Sequence, residues 1–170
     1  MARQLWLLRH ADAEPHGARE DSERRLTERG ERQARTAGAA LASMGVDFEA
    51  ILFSPKVRAR QTAELVAERM GEDARGRLSV HQPLAGGFDA SQAIDATSAI
   101  GADGRLLLVG HEPDLSGVVG ELTGGQVEMK KGGLAVVRLQ GASGELAVLL
   151  RPVELALIAG GVGGVPIHGE

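Results

Sequence analysis

The 170-residue chain is 43% hydrophobic with a net charge of −4, which suits one domain around one core and argues against wholesale disorder. It contains no cysteine, so disulfides, thiolate metal sites, iron–sulfur ligation and cysteine nucleophiles are excluded together. Four aromatic residues (Trp6, Phe48, Phe53, Phe88) and no lysine-rich run leave little to stack on bases or follow a phosphate backbone, so nucleic-acid binding is not expected.

The apolar run Gln4–Leu8 ends abruptly at Arg9, His10 and Asp12 and reads as a buried strand. It is too short for the apolar stretch of a secretory leader, and no run approaches the roughly 20 residues a membrane helix needs. A cytoplasmic protein without a membrane partner is the expectation. Residues 12–25 are polar and read as an exposed loop. Thr27 can cap a helix with Leu26 as a hydrophobic staple, and Ala34, Ala37, Leu41 and Met44 recur at helical spacing before Gly45. Ile51–Phe53 is a second strand, ended by Ser54 and Pro55. A second helix is expected over Val57–Met70.

Leu78–His81 reads as a third strand, residues 82–89 as a loop, and Ala90–Ile100 as a less strongly patterned helix. Arg105–Val109 (RLLLV) is a buried strand, followed by a turn over Gly110–Pro113 and a helix over Asp114–Leu122. Leu134–Leu139 and Leu146–Leu150 are late strands joined by a turn around Gly141–Gly144. That connection is too short for a parallel crossover, so the pair should be antiparallel. The alternation of strands and helices predicts an α/β protein, with a mostly parallel sheet covered on both faces. One domain spans 1–159, and the Gly-rich tail 160–170 is expected to be loose.

Three predicted strand ends carry residues suited to phosphate: Arg9 and His10, then Ser54 with Arg58 in the helix that follows, then His111. In doubly wound sheets ligands bind beyond the carboxyl ends of the strands. If these are neighbouring parallel strands, two Arg and two His form a cationic basin for a phosphoryl group. The guanidinium forks could hold its oxygens, and a neutral imidazole could attack phosphorus in line. No cofactor or metal is required when Arg charges cover the oxygens. Arginine excess alone, 16 against three lysines, carries no such weight, because biased base composition gives the same result.

Four segments, LLRHADAE (7–14), LTERGERQA (26–34), SPKVRARQTAE (54–64) and LLVGHEPDLS (107–116), resemble the histidine phosphatase (phosphoglycerate mutase-like) superfamily in order and spacing. With KKGGLAVVRL (130–139), the resemblance is closest to its small SixA-type phosphohistidine phosphatases. It implies a three-layer α/β/α sandwich, His10 as a transiently phosphorylated nucleophile, and Arg9, Arg58 and His111 as phosphate-pocket residues. Ser54 or the amides after His111 would add contacts. LTERGERQA would shape helix packing, and the substrate would be a phosphohistidine protein or a small phosphoester.

The resemblance departs at the general acid. Larger relatives place a carboxylate after the third strand, where this chain has PLAGGFDAS with Ala85 and, four residues on, Asp89. Asp12, Glu14 and Glu112 are other candidates, each equally readable as a surface carboxylate or a cap. The resemblance further implies that mutase activity is disfavoured, because the chain lacks the length for the insertions that enclose a small sugar-like substrate in larger relatives. A pseudoenzyme that binds phosphorylated partners is the reading from a different class. His16, His81 and His168 receive no role.

Overall fold

The computed structural model describes residues 2–160, so all but the first residue of the expected tail lies outside the described residues. Six strands form one sheet: β1 (Gln4–Arg9), β2 (Ala50–Phe53), β3 (Leu78–Val80), β4 (Arg105–Gly110), β5 (Leu134–Gln140) and β6 (Ser143–Leu150). Their order is β3-β2-β4-β1-β5-β6. The first four run parallel, while β5 pairs antiparallel with β1 and with β6.

Alternation along each strand builds two cores. Leu5, Leu7, Leu52, Leu106 and Leu108 face one side, against α4 (Ala90–Ala96) and α5 (Asp114–Thr123). Trp6, Leu8, Ile51, Phe53, Leu107 and Val109 face the other. There they meet α1 (Glu28–Ser43), α2 (Val57–Met70), the single turn α3 (Glu72–Arg75) and α6 (Pro152–Ala159). Buried on both faces, such strands read as continuous apolar runs, which is why β1 and β4 are plain in the sequence. The result is the expected three-layer sandwich.

β1 and β2 are separated in space only by β4, so their carboxyl ends and that of β4 are neighbours. α1 and α2 cover one face and α4 and α5 the other, so the chain reverses its direction of winding at β4. This is the switch point at which α/β sheets open a crevice.

α1 begins as the sequence indicates, with Thr27 Oγ1 accepting from the Gly30 amide at 3.0 Å. Ala34, Ala37 and Leu41 are buried, but Met44 is 38% exposed and belongs to the end of the helix rather than to its apolar face. Two glycines of α1 are required by contact. A Cβ on Gly30 would lie 1.9 Å from the Asp12 carbonyl oxygen, and one on Gly38 would lie 2.6 Å from that of Val66 in α2. The LTERG segment thus seats α1 directly on the chain leaving β1.

Other departures are local. The helix expected over Ala90–Ile100 stops at Ala96, and a 3-10 turn follows where the Thr97 hydroxyl donates to the Ile94 carbonyl. The loop after β3 contains another such turn at Gln82–Ala85. α6 is not foreseen at all. Among the described residues no helix is long and apolar enough to cross a membrane.

Candidate active site

His10 leaves the end of β1 with its amide donating to the Gly110 carbonyl of β4 at 2.9 Å. The Ala11 amide donates to Thr62 Oγ1 at 3.1 Å, and that hydroxyl donates to the Arg58 carbonyl at 2.7 Å. Thr62 is fully buried and ties the first turns of α2 to the strand end. His10 and Arg58 are therefore fixed by backbone that is itself packed. Arg9, His10, Arg58 and His111, predicted from three strand ends, come together here.

The His10 ring is buried, and its Nδ1 lies 2.8 Å from the Ala11 carbonyl oxygen. A carbonyl only accepts, so the ring proton sits on Nδ1 and Nε2 keeps its lone pair. Nε2 lies 3.4 Å from Arg58 Nε. The His111 ring is 5.2 Å away, centre to centre, and tilted by 56°. His111 Nε2 lies 2.7 Å from the hydroxyl of fully buried Ser54, which also accepts from the Lys56 amide at 3.2 Å. Arg9 donates from Nη1 to the Met129 carbonyl at 2.9 Å. Two buried polar atoms, Arg9 Nε and His111 Nδ1, have no hydrogen-bond partner among the described residues. A buried polar atom left unpaired is costly; Arg9 Nε, always a donor, points to a ligand with acceptor oxygens, and so does His111 Nδ1 in the tautomer that places the ring proton there.

Burial is the main cause that lowers the His10 pKa to about 3; the Ala11 contact opposes it, while the Arg58, Arg9 and Lys131 charges add to it. His111 falls to about 3 as well, again through burial first and then the charges of His10, Arg58 and Lys56. Both rings are neutral at neutral pH. In the unfolded chain each would take a proton near pH 6.5, so through the window down to about pH 3 the unfolded state binds more protons. Stability should be complete above that upper value and fall as pH drops through the window. Urea denaturation near neutrality and near pH ~5 measures the loss, and His111→Asn should reduce it.

The acid candidates are engaged elsewhere. Asp89 caps α4, accepting from the Gln92 amide at 2.9 Å while Gln92 Oε1 accepts from the Asp89 amide. Glu112 accepts from the Ser116 amide at 2.8 Å and from its hydroxyl. Asp12 accepts from the Thr27 hydroxyl at 2.7 Å and pairs with Lys131, and Glu14 pairs with Arg19.

The Glu112 charge also bears on Arg9, but the carboxylate in direct contact with Arg58 is one that the sequence did not single out. Asp21, from the polar segment 12–25, accepts from Arg58 through both its carbonyl and its side chain. Its pair with Arg24, three residues on, is a local contact of a kind the segment repeats between Glu14 and Arg19, so it does not set Asp21 apart. The contact with Arg58 joins residues 37 apart and has no local signal. Among the described residues no group of three or more His, Asp or Glu side chains could hold a metal ion.

The profile of the histidine phosphatase superfamily (branch 1) matches residues 5–80. An uncharacterized protein of Picosynechococcus is 36% identical over 146 residues, 79% of this chain and 84% of that protein. The structure of the protein histidine phosphatase SixA complexed with tungstate superposes with a TM-score of 0.76 at 25% identity, covering 89% of this chain and 99% of SixA. A proposed phosphohistidine phosphatase SixA from Nakamurella multipartitia gives 0.74 at 26% identity, over 90% and 98%. The chain belongs to the histidine phosphatase superfamily, among its SixA-type members.

Proposed function

We propose that the protein removes phosphate from phosphohistidine in a protein, through a phosphorylated His10 and without a metal. Superfamily membership implies phosphatase chemistry, and the two SixA structures, aligned over nearly their whole length, support this substrate class. The observation that carries the reading is the 2.8 Å contact of His10 Nδ1 with the Ala11 carbonyl, from which the tautomer follows. The ring proton is held at that carbonyl, and the lone pair of Nε2 stands beside Arg58 Nε.

Nε2 attacks phosphorus in line as the P–N bond of the substrate breaks. A substrate ring protonated on its other nitrogen departs as neutral imidazole. His10, keeping its proton on Nδ1, becomes a cationic phosphoimidazole. Water then displaces the neutral ring and leaves as dihydrogen phosphate. Arg58 and Arg9 cover the oxygens in transfer. The Ser54 hydroxyl already accepts from Lys56 and can donate to His111 Nε2; the His111 proton then sits on Nδ1, the unpartnered nitrogen, as a further donor.

Neither step expels an alkoxide, so neither needs a carboxylic acid. Phosphoserine would, because its leaving oxygen must be protonated in the transition state, an effect worth about 10²–10⁴-fold. On a panel of a phosphohistidine protein, phosphoserine and phosphotyrosine peptides and sugar phosphates, kcat/KM for phosphohistidine should exceed that for phosphoserine by at least ~10²-fold. Comparable efficiencies would overturn the reading. Absence of turnover together with absence of acid-labile labelling by phosphoramidate would favour a binding protein instead.

A further inference from the structure

The segment between β1 and α1 is a strap closed at its base, where Ala13 and Leu26 bridge and the Glu14 amide donates to the Arg25 carbonyl at 2.8 Å. At its far end a single 3-10 turn, Asp21–Glu23, reaches back over the start of α2. Asp21 meets three cations there. Its Oδ2 lies 3.3 Å from Arg58 Nη2 and 3.2 Å from Lys56 Nζ, and its Oδ1 lies 3.0 Å from Arg24 Nη2. Arg24 is itself buried and donates from Nη1 to the Glu14 carbonyl at 2.6 Å.

We infer that Asp21 is a positioning residue: it grips Arg58 by its Nη end so that the Nε edge stays turned toward His10 Nε2. The assignment follows from how the five N–H groups of the guanidinium are used. Nη1 donates to the Asp21 carbonyl at 2.6 Å and Nη2 to its carboxylate, while Nε alone faces His10. A planar fork held at one end can present only its other edge, and that edge is where a phosphoryl oxygen on its way to Nε2 must pass. Burial would raise the Asp21 carboxyl, but hydrogen bonds from Lys56 and Arg24 and the Arg58 charge outweigh it and hold the group well below the ordinary carboxylate range. It therefore stays ionised and serves as an anchor, not as the missing acid. The side chain is 48% exposed, so its removal costs little core.

The inference rests on the proposed phosphorylation of His10, and the test separates the two. Full-length wild type, Asp21→Ala, Asp21→Asn, Arg58→Ala and the Asp21→Ala/Arg58→Ala double variant are labelled with phosphoramidate. Binding of inorganic phosphate is measured by calorimetry on the same proteins. Asp21→Ala removes the carboxylate from three cations, so phosphate should bind at least as tightly, while the labelling rate falls about tenfold because Arg58 keeps only the Asp21 carbonyl on Nη1 and can pivot about that single contact. Asp21→Asn, whose amide oxygen can still accept from Nη2, should recover most of that rate. In the Arg58→Ala background the loss of Asp21 should have no further effect.

Parallel losses of labelling, phosphate binding and melting temperature would make Asp21 merely structural and overturn the inference. So would an unchanged labelling rate in Asp21→Ala, or an effect that persists without Arg58. A wild type that takes up no label would remove the proposed function, and this inference with it.

Discussion

Alanine at position 10 should leave a folded protein that takes up no acid-labile phosphate and hydrolyses no phosphohistidine. The backbone at this strand end is held independently of the ring, through the His10 amide on Gly110 and the Ala11 amide on Thr62. Removing the ring also removes one of the two buried imidazoles that resist protonation. His10→Ala should therefore lose less stability than wild type between neutrality and pH ~5, even though it has lost a buried side chain. Circular dichroism with labelling on one preparation checks both halves. More than about 1% residual turnover in a folded His10→Ala protein would assign the nucleophile elsewhere, since removing a true nucleophile costs several orders of magnitude.

Arg58→Ala should lower kcat/KM on the phosphohistidine protein by 10²-fold or more, the usual scale for losing one preorganised donor to developing charge. The fold should tolerate it. Asp21 would retain Arg24 and Lys56 as partners, so no ionised carboxylate is left alone. Arg58→Lys should remain nearly as impaired. A lysine supplies a point charge, and one ammonium cannot hold Asp21 with one end and face His10 with another. Recovery to within tenfold of wild type by Arg58→Lys would mean that charge alone, without the fork, is what the reaction uses.

The four clustered residues were legible because Arg9, His10 and His111 close apolar runs that read as interior strands, and Arg58 sits in the first turn of the helix after another such run. A parallel sheet delivers the ends of adjacent strands to one crevice. What placed them together was the position of β4 between β1 and β2, which two strands and a crossover helix could not reveal without the third. Asp21 was hidden for a different reason. It lies in a polar segment whose meaning depends on where the strap folds back, and no local pattern encodes a contact 37 residues distant. α6 escaped notice because PVELALIA has no polar face to mark a helical period, and it begins directly after β6. Only Leu155 is buried in it, while Leu157 is 59% exposed. The signals it does carry are Pro152 in its first turn and the Glu154 carboxylate accepting from the Arg151 amide at 3.2 Å.

The Ala11 carbonyl that holds the proton on His10 Nδ1 also sets the energetics of the proposed exchange. Donor and acceptor are then the same heterocycle in the same protonation state, and one P–N bond is made for each one broken. Such an exchange is close to isoenergetic, so the phosphoryl group would arrive on the protein with most of its transfer potential intact. The irreversible loss of that potential would come only with water. Occupancy of His10 would accordingly follow the phosphorylation state of the partner protein, and the entry of water into the crevice would decide whether the group is returned or discharged.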